Sequence, residues 1–261
     1  MSLTTKEGQT QHSLSATISR QGSQSPLPQL HETPDSDADY AVISRRIMLS
    51  YFEQTDVQHR LGARYPHPDV AAKVYAKMDS YHIPLPERDL RKYADGGMSM
   101  ACTSYRFITD VDHQVALSLY SCCMLISDDD NVDLQVLKEF VPRFYTQQPQ
   151  LNPFLDLLVE VITVLLPKYY DTYGANSIVS GTMDYYNSEL FLRTHPRRSA
   201  ASATAGSPEP EAAYFVDFIR WKTGDGESYA AQLFPKYMYP DTSTYVQVIP
   251  YVLLLLRTLC Y

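Results

Sequence analysis

Val115-Ala116-Leu117-Ser118-Leu119-Tyr120-Ser121-Cys122-Cys123-Met124-Leu125-Ile126 is a run of apolar and small residues, and it leads directly into Ser127-Asp128-Asp129-Asp130-Asn131-Val132-Asp133. A helix apolar on nearly every face has no side to offer to water, so this run reads as a helix buried inside a protein. It ends in four carboxylates. The C-terminus of a helix carries partial negative charge, so acids placed there are repelled by the backbone carbonyls and by one another. Something cationic must compensate.

If the helix continues to Asp133, Asp129 and Asp133 lie four residues apart and Asp130 and Asp133 three apart, so at least two carboxylates share a face. Carboxylates without a neighbouring His or Cys favour a hard cation. Mg²⁺ in particular binds through one or two carboxylates and fills its remaining positions with water and phosphate oxygens. The candidate metal ligands are Asp128, Asp129, Asp130 and Asp133. The alternative is a solvated acidic turn that ends a helix. The buried character of the preceding run favours the first reading, since it delivers the acids to a rim or cavity rather than to an open surface.

Working outward, segments with helical spacing are predicted over 40–60, 67–81, 86–107, 112–129, 133–145, 152–172, 175–194, 211–229 and 242–261, divided by turn-forming stretches such as Tyr65-Pro66-His67-Pro68 and Pro84-Leu85-Pro86. No strand alternation competes, so the fold class is all-α. Residues 1–38 are rich in Ser, Gln, Thr and Pro and are expected to be a disordered tail; 39–261 form the helical domain. The Ala/Ser/Gly/Pro-rich stretch 197–213 reads as a loop. The run around Val252-Leu253-Leu254-Leu255-Leu256 is too short for a membrane span, for which about 20 residues are needed. It stops at Cys260-Tyr261 with no capping signal, which suggests a helical domain that is incomplete at its C-terminus.

Composition narrows the function. A net charge of -8 and a pI near 5.3 argue against nucleic acid, which demands a basic face. With 44% hydrophobic residues the chain can bury a substantial core. The first residues lack an apolar signal region, and the adjacent Cys122 and Cys123 read as small core residues rather than a disulfide, so a reducing, cytoplasmic setting is expected.

Several stretches, in order, resemble one family. Leu117 to Asp129 looks like the metal-binding helix of the trichodiene synthase family of fungal class I sesquiterpene cyclases. Ser180-Gly181-Thr182-Met183-Asp184-Tyr185-Tyr186 is similar to that family's small-Thr-Leu-Asp-Phe-Phe helix. Phe218-Ile219-Arg220-Trp221-Lys222-Thr223-Gly224, continuing to Leu233-Phe234-Pro235-Lys236, resembles its Phe-Leu-Arg-Arg-Met-x-Gly and Leu-Trp-Pro-Lys segments. Matching the apolar residues to the family makes Asp128 the first ligand and Asp129 its neighbour, whereas an Asp-Asp-x-x-Asp pattern fits Asp129, Asp130 and Asp133; both registers stay open.

The resemblance implies a helical bundle around a central cavity and Mg²⁺-dependent ionisation and cyclisation of farnesyl diphosphate, with loss of diphosphate. It also implies a pocket involving Tyr120, Thr182, Tyr185 and Tyr186, whose rings can stabilise passing positive charge, and Lys236 as a diphosphate ligand. The implied partner is a small prenyl diphosphate, with no nucleic acid and no membrane span, and a homodimer is compatible with it. The family's Asn-Asp-x-x-Ser-x-x-x-Glu motif would by spacing follow Tyr261. Asn187-Ser188-Glu189 does not replace it, because Phe191 and His195 stand where its Ser and Glu belong. A chain-elongating prenyltransferase needs a second aspartate-rich motif that this sequence lacks. The alternative of another class is a non-catalytic truncated or pseudoenzyme form that at most binds metal and prenyl diphosphate.

Overall fold

The computed structural model describes residues 68–129, 132–195, 218–219, 221–222 and 226–259. The expected tail 1–38, the segment 40–60, the loop 197–213 and Asp130 lie outside the described residues. The described helices all fall in one compact unit, Leu61–Tyr261. Among them there is helix and no strand, so the fold is all-α.

The elements are α1 (Pro68–Ser80), α2 (Glu87–Ser104), α3 (Val111–Asp128), α4 (Leu134–Tyr145), α5 (Pro153–Glu160), α6 (Thr172–Thr194), α7 (Gly226–Ala231) and α8 (Thr242–Leu259). Their starts follow from short polar side chains that satisfy otherwise unpaired amides. Asp110 accepts from His113 N at 2.7 Å, Asn152 from Phe154 N at 3.2 Å and Asp171 from Gly174 N at 2.7 Å, each cap contributing about 1 kcal/mol. The segment predicted over 152–172 is not one α-helix. After Glu160 it widens into a π turn over Val161–Leu165 and tightens into a 3₁₀ turn over Leu166–Lys168, where Pro167 has no N–H to continue the α ladder.

The apolar run forms the central helix. From His113 to Ser127 every residue of α3 except Leu125 is buried. Helix α2 packs antiparallel against it. The tight crossing is at Gly97, where an added Cβ would fall 2.6 Å from Cys122 N and 2.8 Å from Ser118 O. The loop between the two helices is tied down by Gln114, whose Nε2 donates to Tyr105 O and Ile108 O, both at 2.9 Å. Cys122 and Cys123 are free thiols inside this core, and burial holds both well above the usual thiol range.

Helix α6 runs parallel to α3. Residues Tyr169 and Tyr170, just before α6, meet His113; Thr182 meets Tyr120; Tyr186 meets Ser127. Helix α7 then closes on α6, with Ser228 Oγ donating to Ile178 O at 2.9 Å beside Gly181. No helix among the described residues is long and apolar enough to cross a membrane.

Candidate metal centre at the end of the buried helix

The acidic motif straddles a helix end. Helix α3 stops at Asp128, and Asp129 is already extended, with φ -80° and ψ 147°. The expectation that Asp129 and Asp133 share one helical face therefore does not hold, because no helix joins them. Asp133 instead begins α4: its side chain accepts from Gln135 N at 2.6 Å. That carboxylate is turned onto its own helix.

Asp128 and Asp129 are held from two sides. From α2, the Tyr93 hydroxyl donates to Asp129 Oδ2. From α6, the Tyr185 hydroxyl approaches Asp128 Oδ1 at 3.5 Å. Asp128 is exposed and Asp129 half-buried. The donors at this turn are carboxylate and phenol oxygens, a set that fits a hard divalent cation such as Mg²⁺ and offers nothing to a thiophilic one. Among the described residues no group of three His, Cys, Asp or Glu is gathered as a metal site.

The cation demanded by the helix end comes from a different helix. Arg193, near the end of α6, donates through Nη2 to Ser127 O at 3.3 Å and through Nη1 to Val132 O at 2.8 Å, while its Nε pairs with Glu189 at 3.3 Å. Sequence reasoning passed over Arg193 and over Tyr93. Arg193 follows Glu189 by four residues, a legible pair, but the carbonyls it binds lie more than 60 residues away in the chain. A second basic contact, Lys222 to Asp184 at 2.5 Å, joins the residue next to Tyr185 to the stretch before α7.

The tyrosines expected around a pocket are packed core. Tyr120 and Thr182 are fully buried and joined by a 2.9 Å hydrogen bond between their hydroxyls. Thr182 Oγ1 also donates to Ile178 O at 2.7 Å, so in the shared bond Tyr120 is the donor. Tyr186 is buried against Phe140, its ring centroid 4.0 Å away, and its hydroxyl is bonded to Ser127 Oγ. Of these expected residues, Tyr185 is the one whose described contacts reach an acidic side chain, that of Asp128.

Lys236 lies away from the acidic turn. Its side chain is exposed and its N–H donates to Tyr169 O at 2.8 Å. The Tyr169 ring stacks on His113 at 4.0 Å. At about 1.5 Å per residue, His113 and Asp128 are roughly 22 Å apart along α3, so Lys236 sits at the opposite end of the helix from the acids. A cleft of about 380 Å³ also lies toward that end: it is lined by Lys73, Lys77 and Lys168 with Asp112, Val115 and Leu119 of α3, and does not include the acidic turn.

Comparison with known proteins gives the family. The family model Trichodiene synthase (TRI5) matches residues 97–258, a span that takes in α3, α6 and most of α8. The chain is 26% identical over 192 residues to Terpene synthase BipA of Cochliobolus sativus, covering 70% of this chain and 55% of that protein. It is 28% identical over 155 residues to an (E)-beta farnesene synthase of Metarhizium brunneum, covering 58% and 44%, and 24% identical over 170 residues to Monoterpene synthase 25 of Postia placenta, covering 63% and 47%. The chain thus spans about half the length of the curated relatives it matches. With the family model matching residues 97–258, more than half of the chain, the chain belongs to the trichodiene synthase family.

Proposed function

We propose that this chain is a sesquiterpene cyclase-like protein that uses Mg²⁺ to ionise farnesyl diphosphate and cyclise the resulting cation with loss of diphosphate. The observation that carries the reading is the pair Asp128 and Asp129 at the end of α3, each met by a tyrosine from a flanking helix. These two carboxylates would hold the ion. When bound, Mg²⁺ supplies Lewis-acid stabilisation of the departing diphosphate.

The chain's own residues contribute position and charge. Tyr93 takes one oxygen of Asp129, which fixes that carboxylate's orientation. Tyr185 stands at Asp128 with its ring buried, so it links the acidic turn to the apolar interior. Arg193 neutralises the helix end and reduces the repulsion among the acids. Binding of metal and prenyl diphosphate without turnover is the second reading. Asp133 favours it, since that carboxylate is spent on the Gln135 amide and leaves the turn with fewer groups for chemistry.

The test is to incubate the purified chain with farnesyl diphosphate and Mg²⁺ and to analyse the hydrocarbon extract alongside a calorimetric titration. A cyclic sesquiterpene that disappears in the Asp128→Asn, Asp129→Asn variant supports cyclisation. Metal-dependent binding without hydrocarbon supports the second reading. Binding unchanged in the double variant overturns both.

A further inference from the structure

The acidic turn is tied across its two ends by one side chain. Ser127 immediately precedes Asp128, and Val132 immediately precedes Asp133; Arg193 binds the carbonyls of both, at 3.3 Å and 2.8 Å. The guanidinium is a rigid planar fork, and a fork that holds two carbonyls fixes the distance between them. Its own direction is fixed by Glu189, one turn back on α6, at 3.3 Å. Ser127 and Val132 are buried, with relative exposures of 0% and 3%, so the anchored backbone has little freedom to drift. The carboxylates themselves point elsewhere, to Tyr93 and Tyr185. Arg193 thus grips the backbone of the turn rather than its carboxylates.

We infer that Arg193 is a positioning residue: by bridging Ser127 O and Val132 O it sets the span of the acidic turn, and so the placement in which Asp128 and Asp129 are offered together to a divalent cation and a diphosphate. This rests on the reading of those carboxylates as metal ligands given above. The same charge lowers the cost of keeping acids at the negative end of α3. A lysine cannot reproduce the device, because an ammonium is a point charge without the fork.

The experiment is calorimetry of the full chain with inorganic pyrophosphate and Mg²⁺, below the melting temperature of each variant. Residues that orient metal ligands typically change affinity by about 10- to 100-fold when removed, and Arg193→Ala is expected to weaken binding by that factor. Arg193→Lys, which keeps the charge and the fold, should recover only part of it, and Glu189→Gln should weaken binding less than either. A role in stability alone would lower the melting temperature and leave the affinity of the folded protein unchanged; that result overturns the inference. If Arg193→Ala does not fold, Arg193→Lys is read by the same criterion. Binding that is lost in Asp128→Asn, Asp129→Asn but retained at full strength in both Arg193 variants leaves the metal reading standing and removes Arg193 from it. Failure of the unsubstituted chain to bind pyrophosphate with Mg²⁺ overturns the metal reading and this inference together.

Discussion

His113 is a buried imidazole with both ring nitrogens engaged, and its neighbours decide which nitrogen carries the proton. The Tyr170 hydroxyl spends its hydrogen on Gln232 O at 3.0 Å, so at 2.8 Å it must accept from His113 Nε2. Nδ1 is then the acceptor for the Tyr237 hydroxyl at 3.2 Å. Burial disfavours the charged ring and pushes its pKa from 6.5 down to about 4, against a smaller opposing pull from Asp110. In the unfolded chain the ring takes up a proton more readily than in the folded one, so the stability that His113 brings is whole above the ordinary value of 6.5 and declines as pH falls toward about 4. Urea midpoints measured from neutral pH downward should show the gap between the native chain and His113→Gln narrowing across that window. A gap that stays constant would show that the ring is not held neutral.

At the scale of the elements, adjacent glycines of α2 separate two kinds of close approach. A Cβ on Gly97 would sit 2.6 Å from Cys122 N and 2.8 Å from Ser118 O, which are backbone atoms of α3 and cannot rotate away. A Cβ on Gly96 would meet Leu125 Cδ1 at 2.9 Å, the tip of a partly exposed side chain that can. Gly97→Ala should therefore force the helices apart at a cost of about 1–3 kcal/mol, the usual range for overpacking. Gly96→Ala should be near neutral or gain up to about 1 kcal/mol from the higher helix propensity of alanine. Thermal melts of the two variants decide it: equal losses would mean that α2 and α3 do not pack at Gly97 as described.

For the whole molecule, a ligand that binds only the folded state raises its stability in proportion to the logarithm of its excess. A diphosphate with Mg²⁺ at about 100-fold over its Kd adds about 2.7 kcal/mol. For a domain of this size that corresponds to roughly 5–10 °C in Tm. Under the proposed function the shift requires both components, because two carboxylate ligands would leave much of the ion's shell to phosphate oxygens and water. It should vanish in Asp128→Asn, Asp129→Asn. An equal shift in that variant would place the diphosphate elsewhere, with the lysine-lined cleft beside Asp112 as the first region to probe.

What the sequence determined by itself was local and periodic. The run ending at Ile126 had no polar face, so it had to be the buried helix, whereas the caps Asp110, Asn152 and Asp171, which set where helices begin, came from the structure. The all-α class and the family resemblance followed from the same short-range patterns. The tertiary structure decided everything that depends on which distant residues meet. It ended α3 at Asp128 and gave Asp133 to the next helix, so the shared acidic face drawn from an unbroken helix was lost. It placed Lys236 at the far end of α3, turned Tyr120 and Tyr186 into sealed core, and brought Arg193 to the helix end that required a cation. Spacing along one helix fixes which side chains share a face, but the partner of a charge or a hydroxyl is set by how helices pack, and that is written in contacts between residues far apart in the chain.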